Sequence, residues 1–240
     1  MTLIRQYTNY KKKQIDNMQI SDLILYKDNQ IIVFNKPGNM PVQKDKTEDM
    51  SLEQLAEIYT KGSVYVVHRI DRPASGVVIF AKTKTAVQQI NAQFRARTVK
   101  KTYYAVMKNQ PPETEGTLVH YLTKNEKNNK SKAAGQPAPG SKRAELNFKI
   151  IDKSDNYFLA EVELITGRHH QIRAQFAAVG SPIKGDVKYG ARRGNKDRSI
   201  HLHARTTEFA HPVTGEKISV TAPVPGTDPV WSAFGNPTAT

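Results

Sequence analysis

The stretch His68-Arg69-Ile70-Asp71-Arg72-Pro73-Ala74-Ser75-Gly76 joins two short apolar runs, Val64 to Val67 and Val77 to Phe80. The two runs are predicted to be buried strands, whereas the stretch between them is strongly polar. Asp71 lies in this stretch with basic side chains on both sides. Nearby cations favour the ionised carboxylate, which is the form that acts as a nucleophile or a base. The alternative interpretation is an aspartate that caps an ordinary turn.

The regions next to this stretch predict a mixture of strands and helices. Ile24 to Tyr26 and Ile31 to Phe34 are short apolar runs that predict a β-hairpin. Ser51, with Gln54 three residues later, has the pattern of a capping box and predicts the start of a helix. Apolar residues at helical spacing predict a second helix from about Lys84 to Arg97.

The second half of the chain predicts further strands, one short helix and one loop. Tyr103 and Tyr104 are neighbours in a predicted strand, so they point to opposite faces. The segment from Lys124 to Arg143 is rich in Lys, Asn, Gly and Pro, and we predict a mobile basic loop. The other predicted elements are a strand pair over Arg143 to Ile151 and Tyr157 to Ile165, a helix around Ile172 and Phe176, and a strand over Ile218 to Thr221.

The composition fits one globular domain without disulfides. Of the 240 residues 38% are hydrophobic and 24% are charged, and there is no cysteine. No apolar run approaches the ~20 residues of a membrane helix, and the N-terminus lacks the apolar region of a secretory signal. We therefore expect a cytoplasmic, monomeric protein without a membrane partner. We predict a basic N-terminal extension over residues 1–20, one domain over 21–228 and a C-terminal tail over 229–240.

The positive charge indicates a polyanionic partner. The chain has 36 Lys and Arg against 22 Asp and Glu, a net charge of +14. Residues 1–20, 92–147 and 168–200 have net charges of +3, +7 and +6, so the charge is clustered. Such clusters are typical of nucleic-acid binding, although a basic surface that only aids solubility is the alternative. DNA is the less favoured partner, because no segment combines a helix-turn-helix pattern with a basic recognition face.

The polar stretch around Asp71 resembles the signature of the RluA-type RNA pseudouridine synthases, H-R-L-D with a short ending in S-G. Here Ile70 stands where Leu is commoner, and Ala74 stands where many members have Thr. The resemblance extends from about residue 22 to 225. Other segments resemble motifs of that family in the same order, namely Ile24-Leu25-Tyr26, Asn35-Lys36-Pro37-Gly38, Lys101-Thr102-Tyr103-Tyr104-Ala105, Thr166-Gly167-Arg168-His169-His170-Gln171-Ile172-Arg173, Gly185-Asp186 with Tyr189-Gly190, and Leu202-His203-Ala204.

The resemblance implies a fold and an activity. The fold is the pseudouridine synthase fold, α+β, with a mixed, largely antiparallel bent sheet flanked by helices. The activity is isomerisation of a uridine in structured ribosomal or transfer RNA: the glycosidic C–N bond breaks, the uracil turns, and its C5 bonds to the ribose. The uridine must first be extruded into a pocket. This reaction needs no cofactor, energy donor or metal. A non-catalytic RNA-binding protein with the same fold is the alternative.

The resemblance also implies roles for individual residues. Asp71 is the essential carboxylate, acting at C1′ or C2′ of the ribose or, less expectedly, on the uracil ring. Tyr103 stacks on the extruded uracil and helps to remove the C5 proton, and Arg173 pairs with Asp71. Arg69 enters the space left by the base or holds a backbone phosphate. Each also has a purely structural alternative, such as a core aromatic for Tyr103. The other residues predicted to bind RNA are His68, Arg72, Arg168, Lys36 and Lys101.

Two histidine pairs and two basic segments complete the predictions. His169-His170 and His201-x-His203 suggest zinc, but no cysteine or nearby acidic ligand accompanies them, so we predict no metal site and a packed, structural His203. No S4 RNA-binding domain, which many family members carry, is recognisable in this sequence. We therefore expect the loop from Lys124 to Arg143, with Lys11 to Lys13, to hold the RNA backbone.

Overall fold

The computed structural model describes residues 19–234, and one mixed sheet of eleven strands forms its centre. The strand order is β1-β2-β4-β10-β5-β9-β8-β6-β7, with β3 paired to β4 and β11 paired to β10. All pairs are antiparallel except β4 with β10, which confirms the predicted α+β class. The strands are β1 Ile24–Lys27, β2 Ile31–Lys36, β3 Tyr65–Val66, β4 Ser75–Ala81, β5 Lys100–Met107, β6 Glu115–Asn125, β7 Lys130–Ala134, β8 Lys142–Lys153, β9 Phe158–Leu164, β10 Leu202–Ala210 and β11 Lys217–Thr221.

Four α-helices accompany the sheet in the described part of the chain. They are α1 Leu52–Thr60, α2 Lys84–Ala96, α3 Gln171–Ala178 and α4 Pro229–Ser232, with 3-10 turns over Ile20–Leu23 and Val187–Tyr189. The predicted capping box is present at the start of α1, where Ser51 and Gln54 exchange hydrogen bonds. No helix within residues 19–234 is long and apolar enough to cross a membrane.

The central strands are buried on both faces. In β2, Ile32 and Phe34 lie in the larger core, and Ile31 and Val33 lie in a second core beneath α2. Strand β4 divides its side chains in the same way. Because both faces are covered, these strands appear in the sequence as continuous apolar runs rather than as an alternating pattern.

The parallel contact between β4 and β10 requires a glycine. Gly76 has φ +111° and lies opposite Ala204; a Cβ at Gly76 would come within 2.6 Å of the Ala204 nitrogen. Next to this contact, His203 is completely buried and bonds Ser75 Oγ at 2.8 Å and the Ala222 carbonyl at 3.1 Å. Burial lowers the pKa of His203 to about 4. The predicted structural role of His203 is confirmed.

The predicted loop from Lys124 to Arg143 is wrong in part, because nine of its twenty residues lie in strands. Strands β6 and β7 form a hairpin in which Lys124 pairs with Ser131 and Asn125 pairs with Lys130. The Asn125 side chain accepts a hydrogen bond from the amide of Lys127 and so stabilises the turn between the two strands. The segment lacks apolar residues because it forms the edge of the sheet. There the backbone hydrogen bonds to the neighbouring strand hold it in place, and no apolar side chains are needed for a core. We call this unit, residues 115–134, the basic hairpin.

The predictions for the two ends of the chain fall partly outside the described residues. Residues 1–18 and 235–240, which include Lys11 to Lys13, lie outside the described residues. The predicted C-terminal tail is not separate from the domain at its beginning, because Trp231 of α4 is buried against Tyr104. Tyr103, by contrast, lies in the main core, so the two tyrosines point to opposite faces as predicted.

Candidate active site

Asp71 lies on the link between β3 and β4, and a buried lysine holds this link in place. The Lys36 ammonium donates to the carbonyls of Arg72 at 3.1 Å and of Ala74 at 2.6 Å. It also reaches the carbonyls of Pro37 and Met40, each at 2.8 Å. Burial lowers the pKa of Lys36 to about 7, an effect that the nearby Asp71 charge opposes. Lys36 is 0% exposed, so the prediction that it binds RNA is wrong; it shapes the backbone around the aspartate.

One guanidinium joins Asp71 to a second carboxylate. Arg173 uses Nε and Nη2 to bind both oxygens of Asp186, at 2.6 and 2.8 Å. Its Nη1 is then directed to Asp71 Oδ2 at 3.0 Å, which is the predicted ion pair. Arg173 and Asp186 are 3% and 1% exposed. A fork that is fixed at two points by a buried carboxylate presents its third nitrogen in a defined direction.

The electrostatic environment keeps Arg173 charged and Tyr103 neutral. Burial opposes the charge of Arg173, but the bonds and charges of Asp186 and Asp71 outweigh it and raise its pKa. Burial raises the pKa of Tyr103 far above its usual range, and the Asp71 charge adds to the effect. A neutral phenol stacks and donates a hydrogen bond, whereas service as a base requires the phenolate form that this environment disfavours.

The turn before α3 determines the position of Arg173. Gln171 Oε1 accepts the Thr166 hydroxyl at 2.8 Å and the Arg168 amide at 2.9 Å, and its Nε2 donates to the Glu145 carbonyl at 3.0 Å. His170 at the N-cap has φ +52°, which turns the chain sharply into the helix. The hydrogen bonds of the buried glutamine therefore stabilise the turn. That turn places Arg173, two residues later, beside Asp71.

Two clefts meet at Asp71. The first, of about 620 Å³, is lined by Tyr103, Ile172, Leu202, Phe94 and Lys101. The second, of about 1030 Å³, extends past Lys44 on one side and past the basic hairpin on the other. The residues that line both clefts are Arg69, Ile70, Asp71, Gly167, Arg168, His170 and Arg173. The first cleft has space for a base beside the carboxylate, and the second cleft leads away from it past further lysine and arginine side chains.

Three of the residues predicted to bind RNA lie where such contacts are feasible. Arg69 is exposed at the junction of the clefts, with Gln43 Oε1 at 3.4 Å. Arg168 lines both clefts and donates through Nε to the Arg143 carbonyl at 3.0 Å. Lys101 lines the first cleft, with Nζ 5.5 Å from the centre of the Phe94 ring. Their contacts with RNA remain predictions.

The two other predicted RNA-binding residues, His68 and Arg72, mainly make contacts within the protein. His68 Nε2 accepts the Ile79 amide at 3.1 Å, and its ring packs on Phe94. Burial lowers the pKa of His68 to about 3, so the ring is neutral when it lines the cleft. Arg72 forms ion pairs with Asp45 and Asp49, which compensate its charge.

Sequence reasoning gave no role to three residues beside the ion pair. They are Asp186, which fixes Arg173, and His170 and Tyr189, which contact each other. A signal was present, because Asp186 and Tyr189 belong to the G-D…Y-G segment and His170 belongs to the T-G-R segment. His169 and His170 stack on each other with ring centres 3.8 Å apart. Within residues 19–234 no three His, Asp or Glu side chains are grouped to hold a metal ion.

Comparison with known proteins identifies the family of this chain. A family model described as RNA pseudouridylate synthase matches residues 30–178, which is more than half of the chain. Two solved human structures share the fold, RNA Pseudouridylate Synthase Domain Containing 4 and Domain Containing 1. They superpose with TM-scores of 0.71 and 0.72 at 23% and 24% identity, covering 93% and 86% of this chain and 94% and 85% of theirs.

Curated relatives are more similar in sequence. Ribosomal large subunit pseudouridine synthase C of Vibrio vulnificus is 33% identical over 214 residues, 86% of this chain and 67% of the relative. The tRNA pseudouridine synthase C of Yersinia pestis is 32% identical over 220 residues, 83% of this chain and 85% of the relative. This chain, with Asp71, Tyr103 and Arg173 around one cleft, therefore belongs to the RluA-type family of RNA pseudouridine synthases, which are isomerases.

Proposed function

We propose that this protein isomerises specific uridines in structured ribosomal or transfer RNA to pseudouridine, with Asp71 as the catalytic carboxylate. The observation that supports this most strongly is the position of Asp71. Its Oδ2 is held by Arg173, and the residue lies at the junction of two clefts that are lined by lysine and arginine side chains. Curated relatives of comparable similarity are named for ribosomal RNA and for transfer RNA, so both are candidate substrates.

In this proposal the two clefts have different tasks. The extruded uridine occupies the first cleft, with its base against Tyr103 and its ribose at Asp71. Asp71 acts on the ribose while the C–N bond breaks, and the turned uracil then forms its bond from C5. The proton that leaves C5 is balanced by the proton gained at the former glycosidic nitrogen, so the nucleoside keeps its formula. Tyr103 stacks on the base as a neutral phenol.

The second cleft binds the RNA backbone. Arg69 lies beside Asp71 and is free to fill the space left by the base. The basic hairpin contributes Lys124 to the wall of this cleft, and Lys188 lies nearby with its Nζ bonded to the Asn129 carbonyl at 2.8 Å. Cations along a cleft neutralise phosphates and fix the register of the RNA without reading its sequence.

Tritium release tests the proposal directly. RNA with tritium at C5 of uridine loses the label to water when C5 bonds to the ribose, so release should accompany turnover. The substrates are separately transcribed ribosomal and transfer RNAs, and Asp71→Asn is the matched variant. We expect release with the wild-type protein on at least one RNA and none with Asp71→Asn, which should still bind RNA because it loses a negative charge.

Two results would contradict the proposal. Tritium release by a clean Asp71→Asn preparation would exclude this carboxylate as the catalytic group. Binding of both RNAs by the wild-type protein without any release would favour the alternative, an RNA-binding protein that retains the fold.

A further inference from the structure

Tyr189 lies behind the two side chains that contact Asp71. Its hydroxyl is 2.9 Å from His170 Nδ1, and it accepts the amide N–H of Ser131 at 2.8 Å. The Arg173 guanidinium carbon lies 4.9 Å from the centre of the Tyr189 ring. This buried tyrosine therefore contacts Arg173 with its face and His170 with its oxygen.

These contacts favour one arrangement of the protons. The Tyr189 oxygen accepts a hydrogen from Ser131, and His170 Nδ1 is an acceptor within reach of the hydrogen that Tyr189 itself carries. A neutral histidine that accepts at Nδ1 has its hydrogen on Nε2. The Nε2 atom of His170 is 3.8 Å from Asp71 Oδ2, so the N–H lies on the side of the carboxylate.

The histidine adds a dipole rather than a charge to the site. Burial lowers the pKa of His170 to about 2, and the charge of Arg173 acts in the same direction. The ring is therefore neutral at physiological pH. Lys188 and Lys124 also disfavour its protonation.

Within residues 19–234, both side chains that approach the Asp71 carboxylate lie near the same oxygen. Arg173 Nη1 and His170 Nε2 both approach Oδ2, at 3.0 and 3.8 Å. The carboxylate is 23% exposed, and Oδ1 is the oxygen that these two groups leave to the cleft. A carboxylate that is bonded at one oxygen by Arg173, with His170 Nε2 near the same oxygen, presents its other oxygen for reaction.

We propose that Tyr189 and His170 are positioning residues, which orient Asp71 so that Oδ1 faces the substrate. This inference rests on the proposed function. Ser131 extends the arrangement into the basic hairpin, since its hydroxyl also donates to the His169 carbonyl at 2.7 Å. The strand that bears the hairpin lysines is thus connected to the orientation of the catalytic carboxylate.

Kinetics provides the first test. Tyr189→Phe keeps the ring beside Arg173 and removes the hydroxyl, so we expect kcat to fall about 10- to 100-fold while KM stays within about threefold. His170→Asn, a residue type that tolerates positive φ, should give a similar kcat. The double variant should be no slower than the slower single variant, because both changes interrupt the same series of contacts from Tyr189 through His170 to Asp71. Tyr104→Phe, on the opposite face of β5, is the control.

Nitrogen NMR of the His170 ring provides a readout independent of activity. In the wild-type protein the ring should show the Nε2–H tautomer from pH 5 to 8, and in Tyr189→Phe the tautomer populations should change. A wild-type Nδ1–H tautomer, or titration of the ring in this range, would overturn the inference even if the RNA substrate were misassigned. With wild-type turnover and an inactive Asp71→Asn, an unchanged kcat for Tyr189→Phe would overturn it while leaving the proposed function intact.

Discussion

Arg173 serves two carboxylates at once, so its geometry matters as much as its charge. In Arg173→Lys the charge remains, but a single ammonium cannot bind both oxygens of Asp186 and also reach Asp71. We expect the single-turnover rate to fall by about 100-fold or more, as for the loss of an oriented donor in other active sites. The rate on tritium-labelled RNA at saturating enzyme measures this.

Stability must be measured on the same variant. The pair of Arg173 with Asp186 is buried, so imperfect pairing should also lower the free energy of unfolding, by about 1–3 kcal/mol. Urea unfolding shows whether the protein remains folded under assay conditions. A wild-type rate for the folded Arg173→Lys protein would show that charge alone suffices and that the fork is not needed.

The substitution Tyr103→Phe separates the stacking of the ring from the contribution of its hydroxyl. Tyr103→Phe keeps the ring in the cleft and removes only the oxygen, in a site where the phenol is neutral. Because the neutral phenol can donate a hydrogen bond, loss of that donor should lower the rate by about 100-fold while KM changes by less than about threefold. Tyr104→Phe, one residue further on the opposite face, controls for the loss of a buried hydroxyl. If Tyr103→Phe is as fast as the wild type, the tyrosine only stacks.

At the scale of the element, the basic hairpin should determine RNA affinity. We would replace Lys124, Lys127 and Lys132 with Gln and retain Lys130, whose Nζ lies 5.0 Å from the Tyr189 ring and so close to the site. Each phosphate contact on single-stranded RNA contributes about 0.7 to the slope of log affinity against log salt. Loss of all three contacts should flatten the slope by about 2 and weaken binding across RNA sequences.

A matched control removes the same charge elsewhere. Lys84, Lys153 and Lys217 are exposed and line neither cleft, so their replacement by Gln should leave the slope nearly unchanged. Equal slopes for the hairpin triple variant and the wild-type protein would indicate that the hairpin only bridges the edge of the sheet.

The contact between β4 and β10 depends on Gly76. Alanine there would adopt φ +111° and bring its Cβ to 2.6 and 2.7 Å from the Ala204 nitrogen and carbonyl carbon. Backbone cannot yield as a flexible side chain does, so Gly76→Ala should cost on the order of 3 kcal/mol of unfolding free energy. Gly135→Ala, with nothing within 4 Å, is the control. A difference below about 0.5 kcal/mol in urea unfolding would contradict the steric argument.

At the scale of the whole molecule, the sequence predicted what depends on local pattern. The apolar runs of β2 and β4 and the Ser51 capping box are local features, and they were predicted correctly. The hairpin was missed because its β7 strand is fixed by backbone pairing and by Ser131 binding Tyr189, 58 residues away. Lys36 was misassigned because lysines are rarely buried, and only the fold reveals the carbonyls that surround its ammonium.

In the candidate site, too, local features could be predicted from the sequence and long-range contacts could not. Asp71 stands out locally through its neighbours, whereas its pair with Arg173 joins residues 102 positions apart. That pair was predicted from the family resemblance and not from spacing. The contacts of Tyr189 and His170 combine a strand, a helix start and a 3-10 turn, so no pattern within a single element reveals them.

Asp228 fastens the C-terminal helix to the domain. Its Oδ1 accepts the amides of Val230 and Trp231 and lies 3.1 Å from His201 Nε2. Burial alone would raise the pKa of Asp228, but the His201 hydrogen bond and these amides outweigh it and lower the pKa to about 2. The ionised carboxylate therefore stabilises the folded state rather than the unfolded one.

The sign of this pKa shift predicts an acid-dependent contribution to stability. Because the folded pKa is the lower one, the stabilisation is complete above the unfolded value of about 4 and disappears as the pH falls towards 2. Asp228→Asn should cost about 1 kcal/mol near pH 7, since solvent screens the partly exposed group, and almost nothing near pH 2. Urea unfolding between pH 2 and pH 7 measures the difference, with the exposed Asp152→Asn as control. A cost that stays constant over this range would show that the helix is held by the packing of Trp231 and not by the charge of Asp228.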